Sequence, residues 1–317
     1  MNNRETWLVG CGQMAMDYMK VLEALKQPFK VIGRGEGSAA LCEEKTGTAV
    51  VRGGLGLFLE AKPAPCEQAI VTVNVDALAE TTVQLLNSGV KKILVEKPAG
   101  LSLAEIRSVS AAAAANKAEV YVAYNRRFYA ATMHAKRMIE EDGGLLSCNF
   151  EFTEWGHVIE GLAKGPGVKE KWFICNSTHV VDLAFYLAGK PLQMNCHTAG
   201  SLPWHPAAAI FAGAGMTDQG IMFSYQANWN APGRWGLEAL TANYRLIFRP
   251  MESLQIMRKG SIRIEAVEID DSLDKEFKPG LHEQVKCFLE GRLECFCTLD
   301  QQVEHWDYYC RMAGYEG

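Results

Sequence analysis

Short apolar runs alternate with amphipathic stretches through the first 125 residues of the chain. The amphipathic stretches have the 3.6-residue period of helices, and the longest of them cover 13–26, 76–88 and the region after Ser102. The apolar runs between them have the length of buried strands, at 6–10, 29–34, 49–51, 68–74, 92–95 and 119–124. This alternation predicts a parallel sheet with helices on both faces.

Local end signals support several of these helices. Asp76 is expected as the N-cap of the helix over 76–88, and Gly89 follows its last turn. Ser102 and Glu105 form a capping-box pattern before an alanine-rich helix. Gly47 is expected to stop a helix that begins near Ser38.

The pattern changes near Ser147, where apolar and polar residues alternate over longer runs. Such alternation predicts strands of an antiparallel sheet with one packed face, at 148–155, 221–230, 235–250 and 261–269. A helix is predicted over Ser177–Leu187, with further helices at 280–290 and 299–312. The fold class is therefore α/β, with a doubly wound parallel sheet first and a second α/β domain on a large open, mainly antiparallel sheet. We expect domains at 1–125 and 126–317, with a return of the C-terminal helix to the first domain as the alternative.

Composition narrows the class of protein. The chain has 317 residues, 48% hydrophobic and 22% charged, which excludes a largely disordered protein. Its net charge of −5 disfavours nucleic acid as a partner. We expect no membrane span, because no run reaches about 18 apolar residues, and a cytoplasmic location, because the ten cysteines are scattered and no signal core precedes the first strand. No metal is expected, since no His, Cys or carboxylate cluster has ligand spacing.

The first strand ends in a glycine-rich loop, Gly10-Cys11-Gly12-Gln13-Met14-Ala15, which has the pattern G-x-G-x-x-A. Glycines there allow a tight turn and close approach of a pyrophosphate, and the following helix N-terminus offers free N–H groups. Because a strand precedes the loop and a helix follows it, we predict a dinucleotide site that includes Gly10, Gly12, Gln13 and Met14. The alternative is a plain turn.

The end of the second strand bears on the choice of dinucleotide. NAD sites usually have an acidic residue there, but this chain has Gly33 and Arg34. Arg34 and Ser38 offer a guanidinium and a hydroxyl to a 2′-phosphate, which favours NADP, with NAD possible. In the alternative, Arg34 is a solvated loop charge and Glu36 contacts the ribose.

Glu96-Lys97-Pro98 closes the fifth strand at the sheet edge where ligands of doubly wound folds bind. A lysine at this edge can donate to a substrate oxygen and relay its proton. Taken alone, the tripeptide favours a surface turn over a catalytic site.

In this order, GCGQMA, VTVN, EKPAG, AYNRRF and STHVVDLAFYLAG resemble the Gfo/Idh/MocA oxidoreductase family, and the resemblance covers most of the chain. It implies a Rossmann domain, a C-terminal α/β domain whose sheet often forms oligomer contacts, and NAD(P)-dependent hydride transfer at a sugar-like carbon. It also implies that Lys97 lies beside nicotinamide and substrate, that Glu96 approaches the nicotinamide ribose, and that Asn74 lines the nicotinamide pocket.

His179 resembles the substrate-contacting histidine of the family. That histidine usually follows an aspartate four residues earlier, where this chain has Cys175, so an aspartate–histidine pairing is in doubt. His179 acts alone or with Asn176 in this interpretation, and Asp182 lies on the same helix face. The alternative is a structural histidine.

Four further residues are expected to shape the substrate pocket. Asn125 and Arg127 follow the sixth strand, while Trp172 and Asn176 flank the histidine helix. Aromatic and amide groups suit a sugar ring and its hydroxyls, and the charges of Arg126, Arg127 and the loop at 164–171 suit a phosphate. The same residues also suit a domain-crossing segment and sheet packing.

The sequence thus predicts an NADP(H)-dependent oxidoreductase acting on a sugar, polyol or sugar derivative, which a nucleotide may activate. Lys97 and His179 would handle the alcohol proton, and Asp182 would bind substrate. A dimer or tetramer is expected. The alternative is a non-catalytic, dinucleotide-binding regulatory protein of the same fold, which the change to Cys175 mildly favours.

Overall fold

The computed structural model describes residues 5–315, which divide into two units. The first comprises Met1–Tyr124 with Leu281–Val303, and the second comprises Asn125–Gly280 with Glu304–Gly317. The second boundary therefore lies inside the last helix. Among residues 5–315, no helix is long and apolar enough to cross a membrane.

The first unit is built on a seven-stranded sheet with the strand order β15-β6-β5-β4-β1-β2-β3. All neighbours pair in parallel except β15, which runs antiparallel to β6. The strands are β1 Thr6–Val9, β2 Phe29–Ile32, β3 Val50–Val51, β4 Gln68–Val71, β5 Lys92–Glu96, β6 Glu119–Ala123 and β15 Cys297–Thr298. The order reverses between β1 and β4, and a doubly wound fold binds its ligands at such a reversal.

Helices connect these strands. They are α1 Gln13–Ala24, α2 Glu36–Thr46, α3 Gly54–Glu60, α4 Leu78–Asn87, α5 Leu103–Asn116 and, later in the chain, α10 Leu281–Glu290. The helix α11, Leu299–Ala313, begins in this unit. The core consists of the fully buried strand residues, among them Leu8, Val31, Ile70 and Leu94.

The second unit is built on an eight-stranded sheet with the order β14-β13-β12-β11-β7-β10-β9-β8. Only β7 and β10 pair in parallel among these neighbours. The strands are β7 Ser147–Glu151, β8 Pro191–Ala199, β9 Ile210–Thr217, β10 Met222–Asn228, β11 Gly236–Leu240, β12 Tyr244–Phe248, β13 Gln255–Arg258 and β14 Ile264–Ala266. Its helices are α6 Ala130–Glu141, α7 Gly156–Glu160, α8 Thr178–Ala188 and α9 Ser272–Glu276.

The two sheets confirm the predicted fold class, and they correct several local predictions. Asp76 is not an N-cap: a 3₁₀ turn over Val75–Ala77 comes first, and α4 begins at Leu78 without a side-chain cap. Ser102 does cap α5, because its Oγ accepts from the Glu105 N–H at 3.2 Å. The Glu105 carboxylate accepts from the Leu101 N–H rather than from Ser102.

Two predicted strands are too long. The run at 148–155 leaves the sheet after Glu151, because the chain turns into α7. The run at 261–269 pairs only over Ile264–Ala266, and Ile262 is 94% exposed, so its alternation buries no face. The segment at 235–250 is two strands, β11 and β12, and β8, β9 and β13 were not predicted.

Candidate functional site

The glycine loop follows β1 at the carboxyl edge of the parallel sheet. Gly10 has φ +125°, and a Cβ there would lie 2.4 Å from Thr72 Oγ1, so no larger residue fits. Gly12 differs, because a Cβ on it would meet nothing within 4 Å. Gly12 is the N-cap of α1, and no side chain caps the helix. The first N–H groups of α1 therefore have no side-chain cap, which suits a pyrophosphate site.

The remaining predicted cofactor residues lie at the same edge, after β2, β4 and β5. Arg34 and Ser38 are exposed, and Asn74 is exposed after β4. Gln13 donates to Asp17 at 3.0 Å, and Met14 is half-buried. Because these strands are parallel neighbours, their ends share one edge of the sheet.

Arg34 differs from Arg52, the other guanidinium near the end of β2. Arg52 is ion-paired to Glu36 and Glu43. No ion pair to Arg34 occurs within residues 5–315. Glu36 is thus engaged by Arg52, and Arg34 keeps its charge available at the position where NAD sites carry an acid.

The turn after β5 holds Lys97 half-buried. The Ala99 N–H donates to the Glu96 carbonyl at 3.0 Å, and the Lys97–Pro98 bond is cis. The buried Gln302 donates to the Pro98 carbonyl at 3.1 Å, and Tyr124 donates to Gln302 Oε1 at 3.2 Å. These bonds fix the backbone that carries Lys97.

Glu96 lies against α1. Its carboxylate accepts from the Tyr18 hydroxyl at 2.8 Å, and Tyr18 is fully buried. Burial and the neighbouring Glu96 charge raise the pKa of Tyr18 well above its ordinary value, so the phenol stays protonated and remains a donor.

The second unit contains a cavity of about 330 Å³. Its lining includes two of the predicted substrate residues, Trp172 and Asn176. The other lining residues are Arg126, Thr153, Glu154, Trp155, Val158, Ile159, Arg234, Trp235, Met251 and Glu252. The charged groups number two of each sign, and three tryptophans supply flat apolar surface, a combination that suits a polar ring.

A buried carboxylate organises one wall of this cavity. Glu154 is 7% exposed and accepts from Asn176 Nδ2 at 3.0 Å and from Ser177 Oγ at 2.8 Å. Both donors belong to the π-helical stretch Phe173–Ser177, which also contains the buried Cys175 and leads into α8. Such π-helical turns are frequent at functional sites.

His179 lies in the first turn of α8 and is half-buried. Its ring centroid is 6.1 Å from that of Trp235, a cavity residue. His179 is therefore next to the cavity wall.

Three predicted substrate residues are not in the cavity lining. Arg127 and Asp182 form a buried two-point ion pair, Nε to Oδ2 at 2.8 Å and Nη2 to Oδ1 at 2.6 Å. Burial raises the pKa of Asp182, and the Arg127 charge opposes that shift. Asn125 donates to the Pro279 carbonyl at 3.0 Å. These contacts give all three residues a clear part in holding the second unit together.

The sequence analysis did not select Glu154, Trp235 or Arg234, and it named Arg126 only together with Arg127 and the loop at 164–171, as charges suited to a phosphate. Glu154 was hidden inside a predicted strand, and Trp235 began another. The one sequence signal was the paired Arg126-Arg127, which does not say which arginine faces a ligand.

Known proteins share this organisation. Residues 5–124 match the model of the Gfo/Idh/MocA oxidoreductase family, described by its NAD-binding Rossmann fold. This match confirms the family resemblance and the expected class, an NAD(P)-dependent oxidoreductase. No curated protein sequence matches the chain.

Solved structures resemble the chain over nearly its full length. The dehydrogenase WlbA of Chromobacterium violaceum, in complex with NADH and UDP-GlcNAcA, has a TM-score of 0.74 and 16% identity, covering 98% of this chain and 93% of its own. UDP-N-acetylglucosamine 3-dehydrogenase GnnA of Acidithiobacillus ferrooxidans has a TM-score of 0.77 and 14% identity, covering 100% of this chain and 99% of its own. A levoglucosan dehydrogenase in complex with NADH and levoglucosan has a TM-score of 0.79 and 16% identity, covering 98% of this chain and 96% of its own. At these identities the likeness establishes the fold.

Proposed function

We propose that this chain, whose residues 5–124 belong to the Gfo/Idh/MocA oxidoreductase family, is an NADP(H)-dependent dehydrogenase or reductase of a sugar, polyol or sugar derivative. The observation that carries the proposal is the common sheet edge of the uncapped glycine loop and Lys97. The structural neighbours named for UDP-sugars and levoglucosan support a sugar-type substrate.

The glycine loop would hold the cofactor pyrophosphate. Gly10 keeps the turn tight, Gly12 leaves the space open, and the N–H groups at Gln13 and Met14 donate to phosphate oxygens. Asn74 and Glu96 would contact the nicotinamide end from the next two strands. When bound, the nicotinamide exchanges hydride with the substrate carbon.

NADP is the preferred form in this proposal. The exposed guanidinium of Arg34 can bind a 2′-phosphate through two parallel hydrogen bonds, and Ser38 in α2 adds a hydroxyl. Glu36, the nearby acid, is engaged by Arg52. The neighbours above carry NADH, so this preference is the more specific part of the proposal.

Lys97 would relay the proton of the reacting hydroxyl. An ammonium donates to a carbonyl oxygen during reduction, and the neutral amine accepts the hydroxyl proton during oxidation. His179 is the second residue proposed to hold that proton, and its ring centroid lies 6.1 Å from that of the cavity residue Trp235. Trp172 and Asn176 would bind the ring and its hydroxyls.

The uncovered face of the eight-stranded sheet supports the expected homo-oligomer. On β8, β9 and β10, the residues of this face are exposed in alternation, including Ile210, Ala212, Met222 and Ser224. Such a face suits a second copy of the chain.

Lys97→Met tests the proposal. With the best substrate from a screen of sugars, uronates and nucleotide sugars, we expect kcat to fall by about 10²–10⁴-fold, the usual worth of a proton relay. NADPH affinity should stay within a few-fold, because the pyrophosphate and 2′-phosphate contacts remain. The exposed Lys91→Met is the matched control.

Two outcomes would overturn it. Undiminished turnover in Lys97→Met would remove the proton-relay role. Cofactor binding without turnover of any screened compound by the wild type would favour the non-catalytic regulatory protein.

A further inference from the structure

The cavity of the second unit contains buried hydrogen-bond donors without acceptors. Arg126 Nε and Trp172 Nε1 are both buried, and neither has a partner within the part of the chain that the structure describes. Both atoms can only donate. Trp172 is 92% buried, since only 8% of it is exposed, and leaving its N–H without an acceptor costs about 1–3 kcal/mol.

Arg126 is positioned by aromatic rings and not by a carboxylate. Its guanidinium carbon lies 4.6 Å from the Trp235 ring centroid and 5.7 Å from that of Tyr129. Within residues 5–315 no carboxylate lies within 4.0 Å of this guanidinium. The next residue, Arg127, is fully engaged by Asp182. Of the two adjacent arginines, Arg127 therefore has a carboxylate partner and Arg126 has none in the described part of the chain.

The two carboxylates on the cavity wall form no ion pair with Arg126 in the part of the chain that the structure describes. The Glu154 carboxylate accepts from Asn176 and Ser177, and Glu252 is exposed at the cavity. Burial lowers the pKa of Arg126 from its ordinary value, while charges at Tyr129, Glu252 and Glu154 oppose that shift. An arginine remains protonated throughout the physiological range, so the cavity wall holds a half-buried cation, with a buried Nε, that lacks a direct counter-ion.

We propose that this cavity binds the oxyanion of an acidic sugar, a carboxylate or a phosphate, and that Arg126 is its specificity-determining residue. The guanidinium fork matches a carboxylate or phosphate in two parallel hydrogen bonds. Trp172 lines the same cavity with a buried N–H that lacks an acceptor. Arg234, exposed at the same cavity, adds positive charge. The inference rests on the proposed function, because it names the substrate class of that enzyme.

The test measures binding and not turnover. The full chain is titrated with D-glucuronate, D-galacturonate, D-gluconate and glucose 6-phosphate, and with glucose and galactose as neutral partners, at constant ionic strength. Thermal midpoint and tryptophan fluorescence report binding, since three tryptophans line the cavity. The variants are Arg126→Gln and Arg126→Lys, with Arg137→Gln as a control that removes one exposed charge from α6.

We expect at least one of the acids to bind the wild type, and its affinity to fall by about 10- to 100-fold in Arg126→Gln. Arg126→Lys should keep part of this affinity. Arg137→Gln should bind the acid as the wild type does. Binding by the sugar acids, by the phosphate or by both identifies the source of the oxyanion. The inference would be overturned if Arg126→Gln bound the acid as tightly as the wild type does. It would also be overturned if the wild type bound the neutral hexoses as tightly as the acids, or responded to no acid.

A parallel NADPH titration separates the two proposals. A cofactor response without an acid response defeats this inference alone. Absence of the cofactor response defeats the proposed function.

Discussion

At the residue scale, packing accounts for the missing acid at the end of β2. A Cβ on Gly33 would lie 2.7 Å from Cys11 Sγ and 2.8 Å from Val50 Cγ1. A side chain at residue 33 would therefore have to displace the side chains of Cys11 and Val50. In the proposed NADP site, Arg34 and Ser38, which are exposed beyond this contact, would recognise the adenosine ribose.

Arg34→Ser is expected to lower NADPH affinity by about 10- to 100-fold, because a charge-assisted phosphate contact contributes about 1.5–3 kcal/mol. NADH affinity should change little, since NADH has no 2′-phosphate. Lys45→Ser, an exposed change in the last turn of α2, is the matched control. Fluorescence titration with both cofactors measures the ratio, and an equal loss for NADPH and NADH would refute the assignment.

The arginine pair shows where sequence reasoning ends at this scale. Arg126 and Arg127 are indistinguishable as residue types, and the sequence analysis selected Arg127. The choice depends on Asp182, 55 residues later in the chain, which engages Arg127 in a buried pair. Only tertiary structure specifies which guanidinium faces the cavity. Gly10, in contrast, was identifiable from local chemistry alone.

At the element scale, the parallel strands were predictable because each is a continuous apolar run. The strand β9 was not, because its sequence IFAGAGMT has glycines where a strand usually has large residues. The structure supplies the reason: a Cβ on Gly213 or Gly215 would lie within 2.7 Å of Tyr225 or Phe223, the aromatic partners on β10. The large side chains by which a strand is usually recognised in a sequence are therefore on β10, the neighbour of β9.

A contact between elements is also predicted to support Lys97. Gln302→Leu removes the donor to the Pro98 carbonyl and the acceptor for Tyr124 in a fully buried position. We expect a loss of about 2 kcal/mol in the free energy of unfolding. The turn that carries Lys97 should also loosen, so kcat should fall more than KM rises.

Urea unfolding and steady-state kinetics measure these two effects. Gln301→Leu changes an exposed neighbour on α11 and should cost less than about 1 kcal/mol. Full stability and full kcat in Gln302→Leu would show that the network does not hold the turn.

At the scale of the whole molecule, the sequence predicts the division into two sheets, because the strands of the first sheet, apart from β15, precede those of the second along the chain. The change of hydrophobic pattern near Ser147 coincides with the start of β7, the first strand of the second sheet along the chain. The membership of residues 281–303 in the first unit has no local signal, since it depends on contacts such as the Tyr18–Gln284 hydrogen bond of 3.3 Å.

Global stability is predicted to fall in acid through a buried histidine. Burial lowers the pKa of His305 to about 3, and the charges of Arg127 and Lys190 act in the same direction. The unfolded value is near 6.5, so between these values only the unfolded state takes up the proton. The contribution is fully present above about pH 6.5 and is lost as the pH falls toward about 3, at up to about 1.4 kcal/mol per pH unit.

Urea midpoints from pH 7 to pH 4 test this dependence. His305→Phe should show a shallower decline than the wild type, whatever its stability at pH 7. His157→Gln, at an exposed position, should keep the wild-type slope. Identical slopes for His305→Phe and wild type would contradict the prediction.

The central claim is dinucleotide binding at the glycine loop, and Gly12→Asp tests it most directly. A Cβ at residue 12 meets nothing within 4 Å and its φ is −83°, so the fold accepts a side chain there. Aspartate is a favoured N-cap, so without cofactor the variant should be as stable as wild type or more stable. Its carboxylate would repel a pyrophosphate.

The measurement is the thermal midpoint of wild type and Gly12→Asp with NADPH, NADP⁺, NADH and NAD⁺. The account predicts a clear rise for the wild type, largest with the phosphorylated forms, and no rise for a variant that is itself stably folded. A wild type that responds to none of the four, or a variant that responds as the wild type does, would contradict the account.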